Sequence, residues 1–554
     1  MEFKYGEASY GLTYRAFQPR DLEVYPVFFC PLVHQRPLMK PINLWHYSWV
    51  AVCGSQVGFE TICHPWTKSW DWRVYKGHAY MTSVLARSEE EAKQREPVFR
   101  ERIRPWIEDW DGMYAQFVAE ASSLFDPLKA LDVRQATNLE LNKYFFKFWE
   151  ANRRVWEIHF ETMVPTMVLY GEFANSCREL GIETDDPLFR KLMQGFDNKL
   201  FQSAKEQWRL GERAVELKLD NLFLTIEAEE LPSALEESDA GRRWLEELRE
   251  FLKLWGWRTT NPLMIQDPSW VEKPGLALVG IKQAVESGKP CPLGEARVKL
   301  AAEREEVERE VLSRVPEARR DMFAKLMKAG QRSGFYSEDH LIYFDPPAAA
   351  LGHRMLAEYG RRYTERGILD EPDDIFFLFV DEIRHPFLLE DNIDLRPLAR
   401  SRKQEFEGYT KIEPEIFIGN PEKFGEMAMK DAVLLTLGGP PRVKPELKAD
   451  LYGVTAAPGV VEGIARVIPS IDHVGELQPG EILVTATTGV AWTPAFGIAK
   501  AVVTDAGGEL AHAMIVSREY GIPCVAGTME ATMKIKTGMR IRVDGDNYAV
   551  YILG

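Results

Sequence analysis

VVTDAGGELAHAMIVSREYGIPCVAGT, residues Val502 to Thr528, is the stretch whose reading decides the fold of the C-terminal region. Ala501, Val502, Val503 and Thr504 form an apolar run with β-branched residues, which predicts a buried strand. Gly507 and Gly508 then permit a sharp turn. From Ala511 the spacing becomes helical, with Ile515, Val516 and Tyr520 as inward positions, until Gly521 and Pro523 end the helix. His512 is thereby predicted at a helix N-terminus. Free backbone amides and the positive end of the helix dipole make that place an anion site, and the glycines admit close backbone approach. An imidazole there can take a phosphoryl group whose oxygens meet preformed donors, which is nucleophilic catalysis with electrostatic support. The other reading of a strand, two glycines and a single His is a capping or core histidine.

The segment resembles the phosphohistidine signature of the phosphoenolpyruvate-utilising family, and stretches on both sides extend the resemblance. Upstream stand GVTAAPGVVEGIARVI (Gly453 to Ile468) and GEILVTATTGVAWTPAF (Gly480 to Phe496); downstream stands GMRIRVDGDNYAVYIL (Gly538 to Leu553). The resemblance implies that His512 is the phosphorylated residue of a swivelling β/β/α domain. Gly507, Gly508, the amide of Ala513 and Arg518 would then surround the phosphoryl oxygens, although Arg518 reads equally well as a surface residue. Two departures stand out. Many members carry Thr and Ser or Cys just before the His, where this chain has Leu510 and Ala511, and Ala457 replaces a common Ser.

Composition bounds the rest. A chain of 554 residues predicts two to four domains. An apolar fraction of 45% with 15 Trp, 19 Tyr and 29 Phe excludes a disordered chain. Lys and Arg total 68 against 84 Asp and Glu, for a net charge of −16, which argues against nucleic acid or an anionic membrane as the main partner. Six scattered cysteines with no CxxC pair fit reduced thiols better than disulfides or a zinc site, and no metal centre is predicted. Without a signal-peptide pattern or a run of 18 apolar residues, the expectation is a cytoplasmic protein.

Residues 1–85 carry aromatic, Gly and Pro residues between short apolar runs and predict an irregular β portion. Trp45, His46, Trp49, His64, Trp66, Trp70, Trp72 and His78 form two dense clusters, read either as an aromatic core or as a ligand pocket. Residues 86–436 predict a mainly helical body. Ser88 with Glu91 and Thr137 with Glu140 have capping-box spacing. Phe145, Phe148, Asn152, Trp156, His159 and Met163 share one helix face, so His159 is either a satisfied core histidine or a base lining a pocket. Residues 437–450, with Gly438-Gly439-Pro440-Pro441 and Pro445, predict a hinged linker to the 451–554 domain. The fold class expected is thus multidomain α+β.

A second resemblance lies in residues 334–384, GFYSEDHLIYFDPPAAALGHRMLAEYGRRYTERGILDEPDDIFFLFVDEIR. It is similar to the acceptor-binding stretch of the rifamycin phosphotransferases and of the phosphotransferring subunit of phenylphosphate synthases. That likeness makes His340, Asp345, His353 and Arg354 candidates for the acceptor site, each also readable as a helix-surface residue, beside His159 of the earlier helix face. No G-x-x-x-x-G-K-[ST] loop or ATP-grasp stretch is found in the chain. The expectation is a phosphotransferase that receives its phosphoryl group on His512 from a separate ATP-grasp-type subunit using Mg2+ and ATP, and passes it to a phenolic hydroxyl. Two alternatives remain: another hydroxyl acceptor such as an antibiotic, or a regulatory phosphocarrier acting on a protein partner.

Overall fold

The computed structural model describes residues 15–30, 38–48, 53–259, 261, 263–288, 293–389, 393–438, 445–455, 457–489 and 492–553. The chain is a multidomain α+β protein that divides into two compact units. Unit 1 comprises Met1–Pro165, Asn261–Pro268 and Tyr343–Asp431, and unit 2 comprises Thr166–Thr260, Ser269–Ile342 and Ala432–Gly554.

Unit 1 combines a small sheet with long helices. Strands β1 (Val27–Phe29), β2 (Thr67–Tyr75), β3 (His78–Leu85) and β4 (Phe417–Gly419) lie in the order β2-β3-β1-β4. β2 and β3 form a hairpin closed by Lys76 and Gly77, both at positive φ, which is the twist a two-residue hairpin needs. The N-terminal portion is more regular than its Gly and Pro content predicts. Helices Pro41–Ser48 and Ser55–Thr61 stand between its strands, and Pro41 takes the first helical position, where its missing N–H costs nothing. The aromatic residues pack edge to face on one another, Tyr47 against Trp72 at 5.2 Å and Phe59 against Trp70 at 6.1 Å. Trp49 lies outside the described residues.

The helix Glu89–Glu108 begins where Ser88 accepts the amide of Glu91, while Glu91 accepts that of Arg87. Thr137 and Glu140 satisfy each other reciprocally before the helix Asn138–Arg178.

Unit 2 joins a helical layer to a seven-stranded sheet. Its strands are β5 (Leu451–Tyr452), β6 (Val460–Val467), β7 (Ile482–Thr485), β8 (Ala501–Thr504), β9 (Cys524–Val525), β10 (Arg540–Asp544) and β11 (Ala549–Ile552). Their order is β5-β11-β10-β6-β7-β8-β9, parallel from β6 to β9 and antiparallel beyond. Every residue of β7 and β8 is buried, as parallel strands covered on both faces must be. One face packs under the helix His512–Tyr520 with Trp492, Phe496 and Met514, and the core there takes in Leu200 of the helical layer. The other face is closed by Leu451, Ile535, Ile541 and Val550.

Of the expected 437–450 hinge, residues 439–444 lie outside the described residues, and Pro445–Leu447 form one 3-10 turn. Among the described residues, no helix is long and apolar enough to cross a membrane.

Candidate functional site

Strand β8 leads into a turn in which Asp505 to Gly508 are all buried. Gly507 has φ 137, a conformation that side chains rarely adopt, and a Cβ there would lie 3.1 Å from that of Ala526. Gly527 has φ 69, and a Cβ on it would meet the Gly507 carbonyl oxygen at 2.3 Å. The two glycines thus let the ends of β8 and β9 close behind the His512 turn. Gly508 has no positive φ. Ala511 is the N-cap in extended geometry, and no side chain caps the helix His512–Tyr520. The Met514 amide turns back to the Ala511 carbonyl, while those of His512 and Ala513 have no acceptor among the described residues and remain suited to an anion.

The imidazole of His512 is held by a neighbouring segment. Oγ1 of Thr488 lies 3.0 Å from Nδ1, Oγ1 of Thr493 lies 3.5 Å from Nε2, and Phe496 meets the ring edge to face at 5.6 Å. Burial pulls the pKa of His512 down to about 3, so the ring is neutral at pH 7 and one nitrogen keeps its lone pair. When Nδ1–H donates to Thr488, that lone pair sits on Nε2. Thr488 and Thr493 were not foreseen as site residues. They supply hydroxyls that Leu510 and Ala511 lack, from the turn after β7 and from the short helix Thr493–Phe496.

Two carboxylates beside this turn bind the helical layer of unit 2. Glu509 accepts from the Tyr170 hydroxyl at 2.5 Å and from Thr184 at 3.0 Å, and the Leu510 amide donates to the Thr436 carbonyl. Glu519 accepts the Gly195 amide with both oxygens, at 2.9 and 3.2 Å, and burial raises its pKa. Arg518 is 8% exposed, its Nε has no hydrogen-bond partner among the described residues, and it lies 4.0 Å from Glu519. Six helical positions place it about 9 Å along the axis from His512 and on another side of the helix. There it faces Gly334, whose Cβ position is 3.8 Å from its Nη2.

The acceptor candidates are distributed between the units. In unit 1, His159 and Asp345 meet, with Nδ1 2.7 Å from Oδ1, both buried. His46 and Trp156 stand beside them: Trp156 is 5.7 Å from His46 and 5.2 Å from His159, ring to ring. Neither ring nitrogen of His46, neither side-chain atom of Asn152, nor Nε1 of Trp156 has a hydrogen-bond partner among the described residues. His353 stacks on Phe376 at 5.3 Å. Arg354 donates to the carbonyls of Lys129 and Leu131, completing the end of the helix Trp110–Ala130. In unit 2, His340 stacks on Tyr336 at 4.9 Å, and its Nδ1 lies 2.8 Å from the Tyr336 carbonyl.

Two stretches of the chain match known protein families. Residues 477–548 match the mobile domain of the PEP-utilising enzymes, and residues 159–336 match the fourth domain of rifampicin phosphotransferase. The chain is 26% identical over 486 residues to an uncharacterized phosphotransferase, YvkC, of Bacillus subtilis, covering 87% of this chain and 56% of that protein. It is 30% identical over 423 residues to chondramide synthase of Chondromyces crocatus, covering 73% of this chain and 11% of the relative. A rifampicin phosphotransferase of Streptomyces sviceus is 30% identical over 349 residues, 60% of this chain and 36% of its own length. The chain thus spans little more than half the length of the first of these relatives and far less of the others.

Proposed function

From a chain that carries the mobile domain of the PEP-utilising enzymes, we propose a phosphotransferase that carries a phosphoryl group on His512 and delivers it to a hydroxyl acceptor. The observation that carries this reading is the neutral imidazole of His512, set beside Gly507 at an uncapped helix start with Thr488 on Nδ1. In the first half-reaction Nε2 attacks a phosphorus of the nucleotide's phosphate chain, an N–P bond forms, and the P–O bond to the departing nucleotide breaks, so the nucleotide leaves with the bridging oxygen. The donor is Mg-ATP held by a separate ATP-grasp-type subunit. In the second half-reaction the acceptor oxygen attacks the phosphorus, the N–P bond breaks, and the imidazole regains its lone pair.

The acceptor's proton needs a base, because a neutral hydroxyl is a poor nucleophile. His159, oriented by Asp345 through an Nδ1 to Oδ1 separation of 2.7 Å, is the pair in unit 1 suited to that work. The aromatic surroundings of this pair favour a phenolic acceptor. The rifampicin phosphotransferases among the relatives favour a second reading, an antibiotic hydroxyl.

The test is intact-mass measurement at neutral pH after incubation with phenyl phosphate, beside His512→Asn. One acid-labile phosphoryl group on the wild type and none on the variant is the expected result. A wild type that gains nothing from phenyl phosphate, yet gains it from a rifamycin phosphate, moves the assignment to the second reading.

A further inference from the structure

Two ionisable side chains in unit 2 are buried with polar atoms that have no hydrogen-bond partner among the described residues. Arg258 follows the helix Asp239–Trp255, in a loop pinned by the Thr259–Ser269 bridge and by the Trp270 amide, which donates to the Arg258 carbonyl at 3.0 Å. Its guanidinium lies against two rings, 5.5 Å from the centroid of Trp255 and 5.3 Å from that of Trp270. It is 4% exposed, and neither Nε nor Nη2 has a partner among the described residues. Those two atoms are one edge of the guanidinium, the edge that offers parallel N–H donors to two oxygens of one anion.

Glu338, on the helix Glu317–Tyr343, is 1% exposed, and neither of its carboxyl oxygens has a partner among the described residues. Asp339 beside it accepts the Lys199 amide at 2.6 Å. Arg258 attracts both carboxyls, yet closes no hydrogen bond with either. A guanidinium keeps its charge in a protein, so its free edge calls for an anion. Burial and the neighbouring Asp339 hold Glu338 well above the usual carboxylate range, so its carboxyl retains a proton to donate. Trp270 also lines a cavity of about 480 Å3, together with Gln207, Gly275, Gly280 and Ala495.

We propose that Arg258 and Glu338 form a receptor for a phosphate monoester, entered past Trp270 from this cavity. Two phosphoryl oxygens take the Nε and Nη2 donors of Arg258, and a third accepts the O–H of Glu338. The ester's dianionic or monoanionic head answers the one charge that the fold leaves unpaired there. That the ester is this enzyme's own product rests on the phosphotransfer reading; the anion binding does not.

The experiment is titration calorimetry of the full chain with phenyl phosphate and, separately, with inorganic phosphate. His512→Asn, which cannot take the phosphoryl group from phenyl phosphate, is still expected to bind it saturably. Arg258→Met should weaken binding on the order of 30-fold, and Arg258→Lys about tenfold, because an ammonium supplies charge without the fork. Glu338→Gln should bind within about threefold of wild type, since an amide N–H replaces the acid O–H. If Arg258→Met does not fold, the Lys variant, checked by circular dichroism, carries the comparison. Inorganic phosphate binding equally tightly, and equally dependent on Arg258, would assign the receptor to the phosphate head alone. Absence of saturable binding, affinity unaltered in both Arg258 variants, or loss of binding in His512→Asn would overturn the site. Arg258-dependent binding in a chain that never phosphorylates His512 would keep the site and remove the phosphotransfer reading.

Discussion

Oγ1 of Thr488 lies 3.0 Å from Nδ1 of His512, and 24 residues of sequence separate the two. A hydroxyl can donate or accept here; with Nδ1–H donating to Thr488, the lone pair sits on Nε2 and makes that nitrogen the nucleophile. A hydrogen bond of this kind contributes up to about 1.4 kcal/mol, close to a factor of ten in rate. Thr488→Val should therefore slow phosphorylation of His512 about tenfold, and Thr488→Ser should restore most of it. Nitrogen-15 NMR of the imidazole checks the cause: the Val variant should show a mixture of tautomers where wild type shows one. A single unchanged tautomer in the Val variant would remove Thr488 from this role.

The hydrogen bonds of Glu509 to Tyr170 and Thr184 fasten the His512 turn to the helical layer of unit 2. Hydrogen bonds to a charged group contribute about 1.5–3 kcal/mol, so Glu509→Gln should loosen this contact without unfolding the sheet. Hydrogen exchange of residues 505–520 should rise, while β10 and β11 stay protected. If the carrier domain must leave this position to work, the variant should also trade slower transfer at one site for faster release from it. Equal exchange in both proteins would show that other contacts suffice to hold the turn.

What the sequence disclosed here was local. The strand, the glycine turn and the start of the His512 helix follow from residues within a dozen positions, as do the Ser88–Glu91 and Thr137–Glu140 caps. What it concealed was long-range. Thr488 is an ordinary hydroxyl in a run of threonines until β7 and β8 pair in parallel and bring its turn over the ring. Tyr170 lies 339 residues before its partner Glu509, and the orphaned state of Arg258 follows from burial that no local pattern encodes. Position 518 is a third case. Helical spacing already turns Arg518 away from His512, but only the packed structure places Gly334 and Glu519 around it.

Stability should depend on pH through Asp339. Burial raises its pKa to about 7, against about 3.9 in an unfolded chain. The folded state therefore holds this proton more tightly than the unfolded state does. The resulting stabilisation is present in full below the unfolded value, falls as pH rises from about 4, and is gone above about 7. Asp339→Asn keeps an oxygen for the Lys199 amide and removes the titration. The variant should match wild type near pH 4 and melt at higher temperature near pH 7.5, by differential scanning calorimetry. A wild-type advantage at pH 7.5 would mean that attraction between the ionised Asp339 and Arg258 outweighs desolvation.

Asn152 provides the last test, because both its polar side-chain atoms are buried with no hydrogen-bond partner among the described residues, one helical turn before Trp156. Burial also pulls His46 down to about 4, so this polar group is uncharged at pH 7. An unpaired buried amide costs about 1–3 kcal/mol, which Leu, branched like Asn but larger and apolar, avoids. Asn152→Leu should then stabilise unit 1 by about 1 kcal/mol and raise its melting temperature. If the polar atoms are kept to receive the acceptor hydroxyl near His159, the same change should weaken acceptor binding, a gain in stability set against a loss of function. Phenol titrations followed by tryptophan fluorescence read the second effect directly. Higher stability with unaltered phenol binding would assign His46, Asn152 and Trp156 to the core alone, and a lower melting temperature would show that Leu does not fit the space the amide fills.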